Sequence, residues 1–74
     1  MGIAIRIAAW RKARGLTQAA IARTVGVSVS AASLWEAGLA NPSQRNLEKI
    51  VEALGLTMAR FYGPLPKRTR KAAA

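Results

Sequence analysis

Within residues 17–38, two helix-capping signals are separated by a single helix-ending glycine, and this pattern restricts the possible folds more than any other in the sequence. Thr17 can cap a helix start, and Gly26 can end that helix because glycine adopts the left-handed backbone conformation without strain. Ser28 then caps a second helix, which runs to Gly38. The spacing predicts two short helices joined by a tight turn, the form of a helix-turn-helix.

Capping residues, glycines and apolar spacing predict five helices in all. The same signals divide the chain into one domain over residues 1–63 and a basic tail over residues 64–74, which we expect to be flexible. No segment shows the two-residue alternation of a strand, so the fold class is all-α, a compact five-helix bundle. The predicted helices cover residues 3–14, 17–25, 28–37, 44–54 and 58–62.

The charge of the chain points to a polyanionic partner. Twelve Lys and Arg against three acids give a net charge of +9. Such an excess in a folded domain is typical of nucleic-acid binding. The tail could contact phosphate, enter a minor groove or keep the chain soluble. Its charges are Lys67, Arg68, Arg70 and Lys71, and without these four the excess is still +5 (8 − 3).

The chain lacks the residues that several classes of function require. The chain contains no Cys, His or Asp, and its acids are Glu36, Glu48 and Glu52. We therefore expect no enzyme activity, no metal site and no cofactor, and we see no small-molecule ligand. No apolar run is long enough for a membrane, and no signal peptide is evident, so we expect a cytoplasmic protein. RNA binding is disfavoured because few aromatic rings are available for stacking.

The third predicted helix has two contrasting halves. At about 100° per residue, Trp35 lies with Ala31, Ala32 and Glu36 on one half, which we interpret as facing the core. The other half is small and uncharged, whereas a plain solvent face usually carries Lys, Glu, Gln or Arg. Small side chains let a helix enter a groove, where hydroxyls and methyl groups contact base edges. This half contains Val29, Ser30, Ser33, Leu34 and Ala37.

The ordered residues over 7–62 resemble the lambda-repressor-like, Cro/C1-type (XRE) helix-turn-helix family. Each motif is weak alone, but the ordered set covers about three quarters of the chain. The resemblance is carried by Trp10-Arg11, Gly15-Leu16-Thr17-Gln18, Ile21-Ala22, Val25-Gly26-Val27-Ser28, Trp35-Glu36, Gly38, Asn41-Pro42-Ser43, Leu47, Ile50, Ala53-Leu54-Gly55 and Phe61.

The resemblance implies roles for individual residues. Val29, Ser30, Ser33 and Leu34 fall where the family reads bases. Gln18 is similar to a family glutamine that holds a phosphate, and Asn41 matches a loop position near the phosphate chain. Arg11 and Glu36 match a structural ion pair between helices one and three. The expected phosphate contacts are Thr17, Gln18, Ser28, Asn41, Arg45 and Arg14, together with Lys67, Arg68, Arg70 and Lys71.

The chain also departs from this family. Leu34, Ala37 and Leu39 are apolar where the family often has Lys or Arg. Two alternatives follow. The DNA site could be AT-rich and read through thymine methyl groups, or affinity could come from arginines outside the third helix and from the tail.

The resemblance implies a regulator of transcription, and a single domain of this size reads few base pairs. We therefore expect a homodimeric repressor of a prokaryote, phage or plasmid that binds a two-fold operator. The expected dimer interface contains Met58, Phe61, Tyr62 and Leu65. Alternatively, Phe61 and Leu56 close the core. A second functional hypothesis is an antitoxin-type protein that binds a partner protein as well as its own promoter. The possible protein partners are a toxin or the polymerase.

Overall fold

The computed structural model describes residues 2–66, and the tail charges at 67–71 lie outside them. The described residues form five α-helices and no strand, so the predicted all-α class and helix order are confirmed. Each helix lies within a residue or two of its predicted bounds. The helices are α1 (Ile3–Ala13), α2 (Gln18–Val25), α3 (Val29–Ala37), α4 (Gln44–Ala53) and α5 (Met58–Tyr62).

Four of the five helices begin at a hydroxyl residue that caps them. In each case the side-chain oxygen accepts a hydrogen bond from the backbone N–H three residues later. This contact satisfies one of the free N–H groups at a helix start. The capping residues are Thr17, Ser28, Ser43 and Thr57.

The turn between α2 and α3 depends on a left-handed glycine. Gly26 has φ of 90°, and its N–H donates to the Ala22 carbonyl at 2.8 Å. The N–H of Val27 donates to the same carbonyl at 2.9 Å, which closes the end of α2. Ser28 then returns to extended backbone and opens α3. Residues 26–28 alone therefore connect α2 to α3.

Side chains from all five helices form the core. α3 packs on α1 and α2, α2 packs on α4, and α5 closes one end against α1 and α4. Because α3 has neighbours on one half only, its other half lies at the surface. The buried side chains are Ile7, Trp10, Ile21, Ala22, Val25, Ala32, Trp35, Leu47, Ile50, Val51, Leu54 and Phe61.

Candidate nucleic-acid interface

The two halves of α3 differ in exposure as the sequence predicts. Ala32 and Trp35 are buried, and Ala31 is partly buried against the core. Val29 and Leu34 are 49% and 43% exposed, although both are large apolar residues. Ser30 and Ser33 are exposed beside them. The structure therefore brings the four predicted base-reading residues onto one uncharged, solvent-facing surface, which we call the α3 surface.

Glu36 joins the first three helices through its carboxylate. Arg11 of α1 donates from Nε to Oε2 at 2.6 Å and from Nη2 to Oε1 at 2.9 Å. Gln18 of α2 donates from Nε2 to the same Oε1 at 3.2 Å. A bidentate pair of this kind fixes both distance and orientation. The orientation of α3 is therefore fixed relative to α1 and to the start of α2.

Arg11 has a second structural role in the same region. Its Nη1 donates to the Leu16 carbonyl at 2.9 Å, which holds the segment between α1 and α2. The hydrogen bonds to Glu36, and the negative charge of that carboxylate, raise the pKa of the Arg11 guanidinium above its ordinary value. Arg11 thus remains charged at any physiological pH, and its donors are engaged inside the protein.

Of the predicted phosphate contacts within residues 2–66, all but Gln18 are exposed. Thr17 Oγ1 and Ser28 Oγ accept backbone hydrogen bonds at 3.0 and 3.1 Å, so each hydroxyl still has its own proton to donate. Arg14, Asn41 and Arg45 are also exposed. Gln18 is partly buried, and one of its two amide hydrogens is used by Glu36. A phosphate contact from Gln18 would therefore use the other hydrogen.

The described part of the predicted dimer interface needs one correction. Phe61 is 0% exposed and belongs to the chain's own core, so its side chain has no surface to offer a second copy. Tyr62 lies with its ring edge-on to Phe61 at 5.1 Å and is 49% exposed. Met58 and Leu65 are partly buried. Of the four predicted residues, Tyr62 therefore presents the clearest free surface.

Sequence reasoning missed the role of Arg6. Its Nη1 donates to the Phe61 and Gly63 carbonyls at 2.9 and 2.6 Å, and its guanidinium lies 5.9 Å from the centre of the Tyr62 ring. Trp10 Nε1 also donates to the Phe61 carbonyl, at 3.3 Å. These bonds satisfy carbonyls that the short α5 leaves free at its end. No sequence signal distinguishes Arg6 from an ordinary solvent-facing arginine, because its partners are backbone atoms more than fifty residues away.

Residues 2–66 were also compared with the requirements of a metal site and of a membrane-spanning helix. Within residues 2–66, no three His, Cys, Asp or Glu side chains cluster as a metal site would require. No helix in this part of the chain is long and apolar enough to cross a membrane.

Comparison with known proteins identifies the class to which this fold belongs. A helix-turn-helix family model matches residues 7–61, which is more than half of the chain. The chain therefore belongs to the Cro/C1-type helix-turn-helix family of DNA-binding transcriptional regulators. Members of this family are typically not enzymes.

One curated relative gives a more particular comparison. The chain is similar to the cryptic phage CTXphi transcriptional repressor RstR of Vibrio cholerae serotype O1, with 36% identity over 63 residues. The alignment covers 85% of this chain and 56% of the relative, so the chain spans about half of that protein's length. No solved structure matches the chain.

Proposed function

We propose that this chain is a sequence-specific repressor that binds a two-fold DNA operator as a homodimer, with α3 in the major groove. The observation that carries the proposal is the α3 surface. Four exposed residues there are small or apolar, none is charged, and the helix that presents them is held by Trp35 and Glu36 on its other side. A plain solvent face in a chain of net charge +9 would carry charged residues.

Base reading would follow from the chemistry of these side chains. Ser30 and Ser33 can donate to or accept from base edges, and Val29 and Leu34 can pack on thymine methyl groups. The resulting surface favours AT-rich sequence, since it lacks the Arg or Lys that usually contacts guanine. Discrimination between operators would therefore depend on a few hydroxyl and methyl contacts.

Affinity would come mainly from phosphate contacts around α3. The start of α2 presents free N–H groups to an anion, with Thr17 and Gln18 beside them. Ser28, Asn41, Arg45 and Arg14 are further donors, and the four tail charges at 67–71 would add to them. These contacts position a protein on DNA without reading its sequence. With DNA as partner, the protein would act in the cytoplasm.

Selection of bound DNA from a random pool tests the proposal. We expect an enriched two-fold sequence whose half-sites lie about one helical turn apart. If the selected DNA molecules shared no enriched sequence, sequence-specific binding would be refuted. If the protein also co-purified with another protein, that result would favour the antitoxin-type alternative.

Substitution of the α3 serines tests the contacts themselves. Ser30→Ala or Ser33→Ala should cost about 1–3 kcal/mol of binding free energy at the selected site and little on random DNA. Thr24→Ala is a matched control, because it removes an exposed hydroxyl from α2 that bonds within its own helix. Equal losses on both DNAs would show that the serines are structural or contact phosphate.

A further inference from the structure

The first four helices of this chain end in the same way, at a glycine that is followed by an apolar residue. The glycines have positive φ, between 70° and 90°. In each case the N–H of the apolar residue donates to the carbonyl five residues earlier, at 2.9–3.0 Å. A helix ending of this kind is frequently accompanied by an apolar contact between that residue and the last turn of the helix. The four apolar residues are Leu16, Val27, Leu39 and Leu56.

Leu39 differs from the other three in its exposure. Leu16, Val27 and Leu56 are partly buried and pack against the core. Leu39 is 76% exposed, more than any other large apolar side chain within residues 2–66. Because so little of its surface is removed from water, Leu39 contributes little to the stability of the monomer. The same helix ending therefore supplies three core contacts and one side chain that the core does not use.

The position of Leu39 places it beside the α3 surface. Its N–H donates to the Leu34 carbonyl at 3.0 Å, and this helix ending brings the two residues side by side. The two neighbours of Leu39 in sequence lie against the protein. A Cβ on Gly38 would be 3.9 Å from the Ala4 Cβ, and Ala40 packs against the core. Leu39 therefore continues the α3 surface past the end of the helix.

Exposed apolar residues are concentrated on this side of the chain. Five large apolar side chains are exposed within residues 2–66, and three of them lie within residues 29–39. Single apolar residues are ordinary on a protein surface, whereas a group of them is typical of a binding site. Leu39 belongs to such a group, which extends from Val29 at the start of α3, through Leu34, to the connection that follows the helix.

Charge and size both favour DNA as the partner of Leu39. The net charge of +9 attracts DNA and opposes the close approach of a second copy. A thymine methyl group is a single carbon that projects into the major groove, so one aliphatic side chain is enough to contact it. A specific protein interface instead buries about 800 Å² on each partner. Leu39 stands between Gly38 and Ala40, and it is therefore a single apolar projection and not part of a broad face.

We propose that Leu39 is a specificity-determining residue that packs on a thymine methyl group in the major groove. The inference rests on the proposed function, because it requires α3 to lie in that groove. It adds a residue outside the helix to the four predicted base-reading residues. It also gives a role to an apolar side chain at a position where the family often has Lys or Arg.

Uracil substitution tests this contact without changing the base pairing. Uracil lacks only the thymine methyl group and pairs with adenine in the same way. The operator selected from a random pool is prepared with uracil at one symmetry-related pair of thymines at a time, and its Kd is measured for the unmodified chain and for Leu39→Ala. One buried methyl group is worth about fourfold in affinity. Uracil under Leu39 in both half-sites should therefore weaken binding of the unmodified chain roughly fifteenfold.

The losses from the two changes should not multiply at that position. Leu39→Ala should itself bind the thymine operator at least as weakly as the unmodified chain binds the uracil operator. It should then lose little more when uracil is introduced, because the contact is already absent. At the other thymines the two losses should multiply. If uracil weakens both chains by the same factor at every thymine, the inference is overturned.

Ile5→Ala is the matched control. Ile5 is another exposed apolar residue, and the predicted DNA contacts include no residue of α1. This variant should keep the affinity of the unmodified chain and its response to uracil. Leu39→Ala should also keep the urea unfolding midpoint of the unmodified chain, because Leu39 is so exposed.

Two further outcomes separate this inference from its alternatives. If Leu39→Ala weakens binding to every operator equally and also raises the dimer dissociation constant in sedimentation equilibrium, Leu39 lies between two copies and the inference is overturned. If selection enriches no sequence, the proposed function fails and this inference fails with it. An enriched operator in which no thymine is coupled to Leu39 would overturn this inference alone and leave the proposed function standing.

Discussion

The Arg11–Glu36 pair provides the sharpest test of how this small domain holds α3 in place. The Arg11 side chain is 14% exposed and that of Glu36 is 8% exposed, so removing one partner leaves a largely buried charge. Loss of one member of a buried pair typically costs 3–5 kcal/mol. Arg11 keeps its bond to the Leu16 carbonyl and some contact with water, so we reduce this to about 2–4 kcal/mol for each single substitution.

The perturbation is a double-mutant cycle with Arg11→Met, Glu36→Leu and the variant that carries both. A chain of this length has a free energy of unfolding of about 4–11 kcal/mol, so each single variant should be strongly destabilised. The double variant leaves no unpaired charge. Its loss should therefore be smaller than the sum of the single losses by at least about 1.5 kcal/mol.

Urea unfolding followed by tryptophan fluorescence measures these differences, because Trp10 and Trp35 are both buried in the native state. Lys12→Met is the control for loss of a positive charge, since Lys12 is exposed on the same helix. That variant should lie within about 0.5 kcal/mol of the unmodified chain. Single losses below 1 kcal/mol, or losses that simply add, would refute the view that this pair fixes α3.

Three other predictions follow from glycine conformation, burial and charge. Gly26→Ala should destabilise the chain by about 1–2 kcal/mol because of its positive φ alone, and thermal unfolding against a Gly2→Ala control would show it. Phe61→Ala should cost about 3–5 kcal/mol in urea unfolding, whereas Tyr62→Ala should cost the monomer much less. Removal of residues 66–74 should weaken binding to all DNA and reduce the salt slope by about 0.9 for each lost phosphate contact. An unchanged slope would show that the tail makes none.

The local features of the fold were predictable because their causes lie within a few residues of one another. Thr17 and Ser28 cap helices through bonds to N–H groups three residues away, and Gly26 ends α2 through its own backbone conformation. The division of α3 into a buried and an exposed half follows from helical periodicity. These signals together predicted the order of the helices and the exposure of Ser30 and Ser33.

The contacts of Gln18 show where sequence reasoning about the site stops. Its position at the start of α2 suggested a phosphate contact, and the resemblance to the family supplied the Arg11–Glu36 pair. The structure places Gln18 on the same carboxylate as Arg11. That shared contact depends on how α1, α2 and α3 are packed, which no spacing within one helix specifies.

The class of fold, the five helices, the positive charge and the uncharged half of α3 can all be predicted from the sequence. These properties depend on composition, capping and periodicity, which act locally. The packing of distant segments, by contrast, buries Phe61 while it leaves Tyr62 exposed, and it brings Arg6 to the carbonyls at the end of α5. Periodicity shows which residues share a face of a helix, but the packing of distant segments decides which faces are covered.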